Sequence, residues 1–311
     1  MMHRRDFLDL SIKSGLGLAL GASPVPVWAV QRSDDAKYAN KIHLLRRIKV
    51  FANEIGLRTN EAFYDNWKAD RNSLYLYLYV SLPDKIVSPK GPDDDGIDSY
   101  SPNNTLSMER LKENISNGYH TMPYTTAGNS AAERSNILLS YHPASIAFIG
   151  FHEATHQHLR QNDTRLPYSF EEACCDVVAN AAVKMFAQSH FDFSYRAALI
   201  QEQRTEDIYK VIVNNINAFE TGAYTDVCLL YQQCKNDIQH LLPRDNMFMR
   251  TRFDYEVNNA YFLRNRLYGL HYPLLKEVML FMGVRDFIQF IPSLPPDEAG
   301  TLKMLNEAIK K

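Results

Sequence analysis

From Pro143 to its end the chain carries apolar residues at helical spacing almost without a break, and this run decides most of what it can fold into. Residues 144–161 and 169–189 read as two helices. Long helical segments follow over 193–241 and 253–308, interrupted at Pro243, Gly269, Pro273, Gly283 and Pro292. The first half has a different texture. Over 38–55, Ile42, Leu45, Ile48, Phe51, Ala52 and Ile55 fall at helical spacing and stop at Gly56. The clearest strand is 73–81, where Leu74, Leu76, Leu78 and Val80 alternate with Tyr75, Tyr77 and Tyr79, an aliphatic face opposite an aromatic one. Residues 84–105, with Pro89, Pro92, three consecutive Asp from Asp93 to Asp95, and Pro102, read as a polar loop. A helix over 107–116 and a second short strand over 119–126 complete this part. The pattern predicts an α+β fold, with a small mixed N-terminal lobe of few strands (30–142) and a predominantly helical C-terminal lobe (143–311). The two form a single domain with the site between them.

A length of 311 residues suits one large domain or two lobes sharing a core. With 45% hydrophobic and 23% charged residues the composition is that of an ordered globular chain. A formal net charge of −2 gives no general attraction to nucleic acid or anionic lipid. Ten His against four Cys favour a site ligated by nitrogen and oxygen. Cys174 and Cys175 are adjacent and cannot readily bond to each other, and Cys228 and Cys234 lie too far apart on one helix for an undistorted bridge. A disulfide between the two pairs and buried free thiols both stay open.

The first 29 residues stand apart. Arg4-Arg5-Asp6-Phe7-Leu8 leads into a weakly apolar, Gly/Ala-rich stretch and then small residues before a cut after Ala29, the layout of a twin-arginine export signal. An ordinary secretory signal is the alternative. The segment is too short and interrupted to span a membrane in the mature chain. The expectation is an exported, periplasmic protein, or an envelope-associated one if the signal is not cleaved.

The chemistry gathers in His152-Glu153-Ala154-Thr155-His156. On a helix the two histidines, four apart, project from one face and can converge on a single ion. Glu153 is rotated out of ligand range but within reach of a water held by that ion, where it serves as general base. Sixteen positions after His156 comes Glu172, with Asp176 one turn further on the same helix face. Glu172 fits as third ligand, and Asp176 can reach back to orient the outer nitrogen of a ligand histidine. Three protein ligands leave the open position of a catalytic zinc. Glu171 is the rival third ligand, pointing about 100° away from Glu172. Cys175 is a further candidate thiolate. His158, two positions after His156, is expected to face solvent.

His152-Glu153-x-x-His156 with Glu172-Ala173-x-x-Asp176 resembles the gluzincin metallopeptidases, typified by thermolysin. More narrowly, the chain resembles a bacterial family described as predicted aminopeptidases. It does so through Ile48-x-x-Phe51-Ala52, the Leu/Tyr strand, Tyr124-Thr125-Thr126-Ala127-Gly128, Leu138-Leu139-Ser140, the metal motif, Asp163-Thr164, and Asn258-Asn259-Ala260. The matches run over residues 40–285. The resemblance implies a zincin-like helical lobe, Zn2+ as cofactor, a peptide or peptide-like substrate, and an edge strand over 119–128 that pairs with the substrate backbone. It also implies an oxyanion donor among Tyr261, Tyr268 and His271, of which Tyr268 is preferred. For an aminopeptidase, Glu171 is the available acid for the substrate amine. The chain departs from the family where an Asn-Glu-Ser-Phe-Ala helix becomes Glu171-Glu172-Ala173-Cys174-Cys175, and where the acidic loop 91–104 replaces an aromatic, Gly-containing stretch. The expected function is zinc-dependent hydrolysis of peptide bonds with Glu153 activating a zinc-bound water. The alternatives are an amidase or other hydrolase of cell-envelope material, and a binding protein on a peptidase scaffold.

Overall fold

The computed structural model describes residues 36–91, 94–101, 108–128, 131–190, 193–224 and 226–310. The export signal expected over 1–29 lies outside them. Residues 40–311 form one compact unit of mixed α and β structure.

Strand β1 (Tyr75–Ser81) is the middle of a three-stranded antiparallel sheet, with β2 (Ile97–Ser101) on one side and β3 (His120–Thr126) on the other. The pairing with β3 runs without a slip from Tyr75 opposite Thr126 to Ser81 opposite His120. The pairing with β2 shifts register between Leu78 and Tyr79. β2 corrects the sequence reading, which made all of 84–105 a loop. Its residues, Ile-Asp-Ser-Tyr-Ser, offer little apolar alternation, and the strand exists because the backbone of β1 needs partners on that side.

β3 is an edge strand, as expected, yet its outer edge is in use. The Thr125 N–H donates to the Tyr255 hydroxyl at 3.1 Å, and Asn258 Nδ2 donates to the Thr121 carbonyl at 3.1 Å. Pro123, which has no N–H to offer, sits between them. The Thr125 N–H and the Thr121 carbonyl on that edge are therefore already bonded.

The helices are α1 (Ala39–Glu54), α2 (Met108–Ser116), α3 (Asn136–Ser140), α4 (Pro143–Gln161), α5 (Tyr168–Ser189), α6 (Tyr195–Glu220), α7 (Val227–Leu241), α8 (Met247–Phe253), α9 (Asn259–Gly269), α10 (Tyr272–Met282), α11 (Val284–Phe290) and α12 (Glu298–Ala308). The expected breaks fall at helix ends: Gly269 closes α9, and Gly283, at φ 87, separates α10 from α11. No helix of the described residues is long and apolar enough to cross a membrane.

Helices α4 and α5 pack against each other along their length, and α5 in turn meets α6, α9 and α10. Every residue of α4 from Ala144 to Leu159 is buried, so this helix has no solvent face over that stretch. Its first turn is fixed by Pro143 and by His142, whose side chain accepts the Ala144 N–H. Close approach is possible because α5 presents Ala173, Cys174, Val177, Ala181 and Ala182, and because Gly150 lets Ile48 of α1 reach the back of α4. Phe51 packs edge-on against Phe151 and Phe186 at ring separations of 6.0 and 5.4 Å.

The burial of α4 overturns the solvent-facing place expected for His158. It is 2% exposed, its Nδ1 accepts the Arg58 N–H at 3.1 Å, and its Nε2 bonds the Ile288 carbonyl at 3.1 Å. All four cysteines are free: Cys174, Cys175 and Cys234 are buried and Cys228 is exposed.

Candidate metal centre

His152 and His156 stand one turn apart on α4, and their Nε2 atoms face each other at 3.2 Å. Glu172 enters from α5, with Oε2 at 3.4 Å from Nε2 of His152 and Oε1 at 3.4 Å from Nε2 of His156. The outer nitrogens are also held. His152 Nδ1 bonds Asp176 Oδ1 at 2.9 Å, as the helix-face argument anticipated, and His156 Nδ1 bonds Glu171 Oε1 at 2.7 Å. A carboxylate at Nδ1 keeps the proton there, so each Nε2 presents a lone pair. In those tautomers two lone pairs and a carboxylate converge, a donor set that a metal ion could join and that a proton on Nε2 could also bridge.

The spacing suits a metal. Donors bound at about 2.0–2.1 Å in a tetrahedron lie roughly 3.3–3.4 Å apart. The Nε2–Nε2 separation of 3.2 Å and the two Nε2–carboxylate separations of 3.4 Å match it. Glu172 Oε2 and Glu153 Oε2 are buried and have no hydrogen-bond partner, which marks where a cation and a water would be received.

The electrostatics describe the site without an ion. Burial pulls His152 down, but the hydrogen bond to Asp176 and the nearby Glu172 carboxylate outweigh it and hold the ring above its ordinary value. Burial acts likewise on His156, where Cys175, Glu172 and Glu171 reverse it and raise the ring well above that value. Burial would raise Glu172, yet the two histidines hold it well below the usual carboxylate range. In the metal-free site, therefore, the rings favour a proton beside the ionised Glu172, and a metal ion would have to displace it.

Cys175 lies against the same histidines: His152, His156 and Cys175 each offer a ligand atom within 4.8 Å of the others and could hold a metal ion. The donor sets His152/His156/Glu172 and His152/His156/Cys175 thus compete for the third position. Burial pushes the Cys175 thiol up to about 12, and the residue is 0% exposed, whereas Glu172 is ionised and lines the cavity beside the histidines.

That cavity has a volume of about 170 Å³. Tyr77, Tyr79 and Tyr124, from the aromatic face of the sheet, form one wall, and α4 forms another. Glu153 lies 6% exposed beside His152 and His156, and burial raises its carboxyl against the pull of the two rings. Gly128 makes room for it: a Cβ there would fall 2.9 Å from Glu153 Oε1 and 2.7 Å from Ile149 Cγ2. Of the three expected oxyanion donors, Tyr268 alone lines the cavity, its ring nearly parallel to His152 at 6.4 Å. The Tyr261 hydroxyl donates to the Phe253 carbonyl at 3.1 Å, and His271 stacks on Phe170 at 3.8 Å.

Several residues at the site were not legible beforehand. Asp176 is shared: Tyr209 donates to its Oδ2 at 2.5 Å, and Arg252 pairs with the same oxygen while donating to the Tyr209 hydroxyl at 2.6 Å. Tyr168 stands one turn before Glu172 on α5 and lines the same cavity. Its signal was available, since Tyr168, Glu172 and Asp176 repeat every four residues. Arg252 is 76 positions from Asp176, and nothing in the order of residues connects them.

No family model matches the chain, and no curated protein and no solved structure matches it either.

Proposed function

We propose that the chain is a zinc-dependent hydrolase of peptide bonds, with His152, His156 and Glu172 holding the metal and Glu153 acting as general base. The observation that carries the reading is the convergence of two Nε2 lone pairs and the Glu172 carboxylate at 3.2–3.4 Å, with the unpartnered Glu153 carboxylate buried beside them. Glu172 is preferred over Cys175 because it is already ionised and faces the cavity.

Zinc bound there would polarise a carbonyl and make a water acidic enough to attack it near neutral pH. The rest falls to the protein. Glu153, raised by burial, takes the proton from the attacking water and can return it to the leaving amine. Asp176 and Glu171 hold the imidazoles in the tautomer that directs Nε2 inward. Tyr268 is the cavity residue best suited to donate to the substrate oxygen as charge grows on it. The peptide substrate and the aminopeptidase specificity rest on the resemblance of the motifs, and export rests on Arg4-Arg5 and the stretch that follows.

The test is incubation of the zinc-loaded chain with a peptide library beside a Glu153→Gln control. Cleavage by the wild type alone supports the reading. Cleavage that persists in Glu153→Gln sinks the mechanism. Absence of cleavage by either points instead to an amide of the cell envelope or to a binding protein.

A further inference from the structure

We infer that Arg160 sets the specificity of the cavity by selecting substrates with a carboxylate beside the scissile bond, an inference that rests on the metal reading above. His152, His156 and Arg160 follow one another at four-residue steps on α4. Arg160 therefore continues the face that carries the two histidines, one turn nearer the end of the helix. An arginine in a last turn is ordinarily explained by the helix dipole and the free carbonyls there. Arg160 does more than that. It lines the cavity together with both histidines and Glu153, and its charge pulls the Glu153 carboxyl down against the effect of burial. Among the described residues its guanidinium has no ion pair and no hydrogen bond.

The other charges on the lining are engaged. Glu171 is bonded to His156 Nδ1 at 2.7 Å, and Glu172 faces both Nε2 atoms at 3.4 Å. Glu153 lies beside them as the base, and Arg252 is paired with Asp176. No acid of the lining is left to receive a substrate ammonium, so the cavity has the opposite character to an amine anchor. The charge that remains is a cation, exposed at the end of α4. Its planar fork can take a carboxylate through two parallel N–H donors. A peptide with its scissile carbonyl at the histidines would meet Arg160 about 5 Å further along α4, one helical turn from His156. A carboxylate there comes either from a free chain end or from an Asp or Glu side chain next to the bond.

The experiment measures binding of 3-mercaptopropionate and 3-mercaptopropionamide to the zinc-loaded full chain by calorimetry. Each probe offers a thiol to the metal, and only the first adds a carboxylate. Wild type, Arg160→Lys and Arg160→Gln are compared, with zinc content as the control for an intact site. Wild type should favour the carboxylate about 10–100-fold. Arg160→Lys, which keeps the charge and loses the fork, should retain part of that preference, and Arg160→Gln should lose it. Peptides of one sequence then separate the sources: a free C-terminus, an amidated C-terminus, and an amidated C-terminus with an added Glu beside the bond. Faster cleavage of the first or of the third assigns the carboxylate to the chain end or to a side chain. A wild-type chain that takes up no zinc overturns the metal reading and this inference together. A zinc-loaded chain that binds the two thiols alike or not at all, or a preference that survives in Arg160→Gln, overturns this inference alone.

Discussion

His152 and His156 point their Nε2 atoms at each other across 3.2 Å, each with its other nitrogen bonded to a carboxylate. In these tautomers the two Nε2 lone pairs face each other, a contact that a metal ion between them would relieve.

Glu153→Gln removes the base and leaves the ligands in place. Turnover of a cleaved peptide should fall by about 10²–10⁴-fold, with zinc content unchanged. Loss of zinc in this variant would make Glu153 a ligand instead, contrary to its place beside the converging donors.

Gly128→Ala should impair the site without touching a ligand. The added methyl would fall 2.9 Å from Glu153 Oε1, so either the carboxylate or the 126–128 segment must move. The expected result is a drop in kcat at unchanged zinc affinity, with a stability cost of about 1–3 kcal/mol from overpacking. Wild-type kcat in this variant would mean that Glu153 does not need its present position.

Asp176 and Arg252 form a buried pair, 0% and 6% exposed at their side chains. Asp176→Ala strands the guanidinium and should cost about 3–5 kcal/mol in urea unfolding. Tyr209→Phe, which removes a single hydrogen bond to the same oxygen, should cost about 1–2 kcal/mol. Equal effects would contradict a charge pair as the main element of this network.

His271 supplies a pH dependence whose sign is fixed. Burial lowers it from 6.5 to about 4. Below pH 6.5 the unfolded chain takes up a proton that the folded chain refuses. The stability that neutral His271 contributes at higher pH is therefore lost as pH falls from 6.5 toward 4, by roughly 3 kcal/mol in full. Urea midpoints at pH 7 and pH 4.5 should differ less in His271→Leu than in wild type. An identical difference would show that His271 does not titrate in this way.

The spacing of His152, His156, Glu172 and Asp176 could be read from the sequence because helical periodicity alone decides which residues share a face. The alternation of β1 was legible for the same kind of reason. β2 was not, since five mostly polar residues pair there through backbone atoms that every sequence has. His158 was misplaced because α4 is buried all round, and a helix without a wet face gives periodicity nothing to report. The partners of Asp176 depend on where α6 and α8 come to rest, a product of the whole packing and of no local pattern. Glu171 shows the limit of the face argument. Directed about 100° away from Glu172 around the axis of α5, it still reaches α4, because the two helices lie close enough for neighbouring faces to share one partner.

Metal content tests the central claim most directly. Protein purified without chelator, or stripped and reloaded, should carry about one zinc per chain by elemental analysis. His152→Ala and Glu172→Ala should abolish that zinc, while Cys175→Ser should leave it in place. Wild-type protein with much less than one zinc, or zinc retained in Glu172→Ala and lost in Cys175→Ser, would contradict the site as assigned.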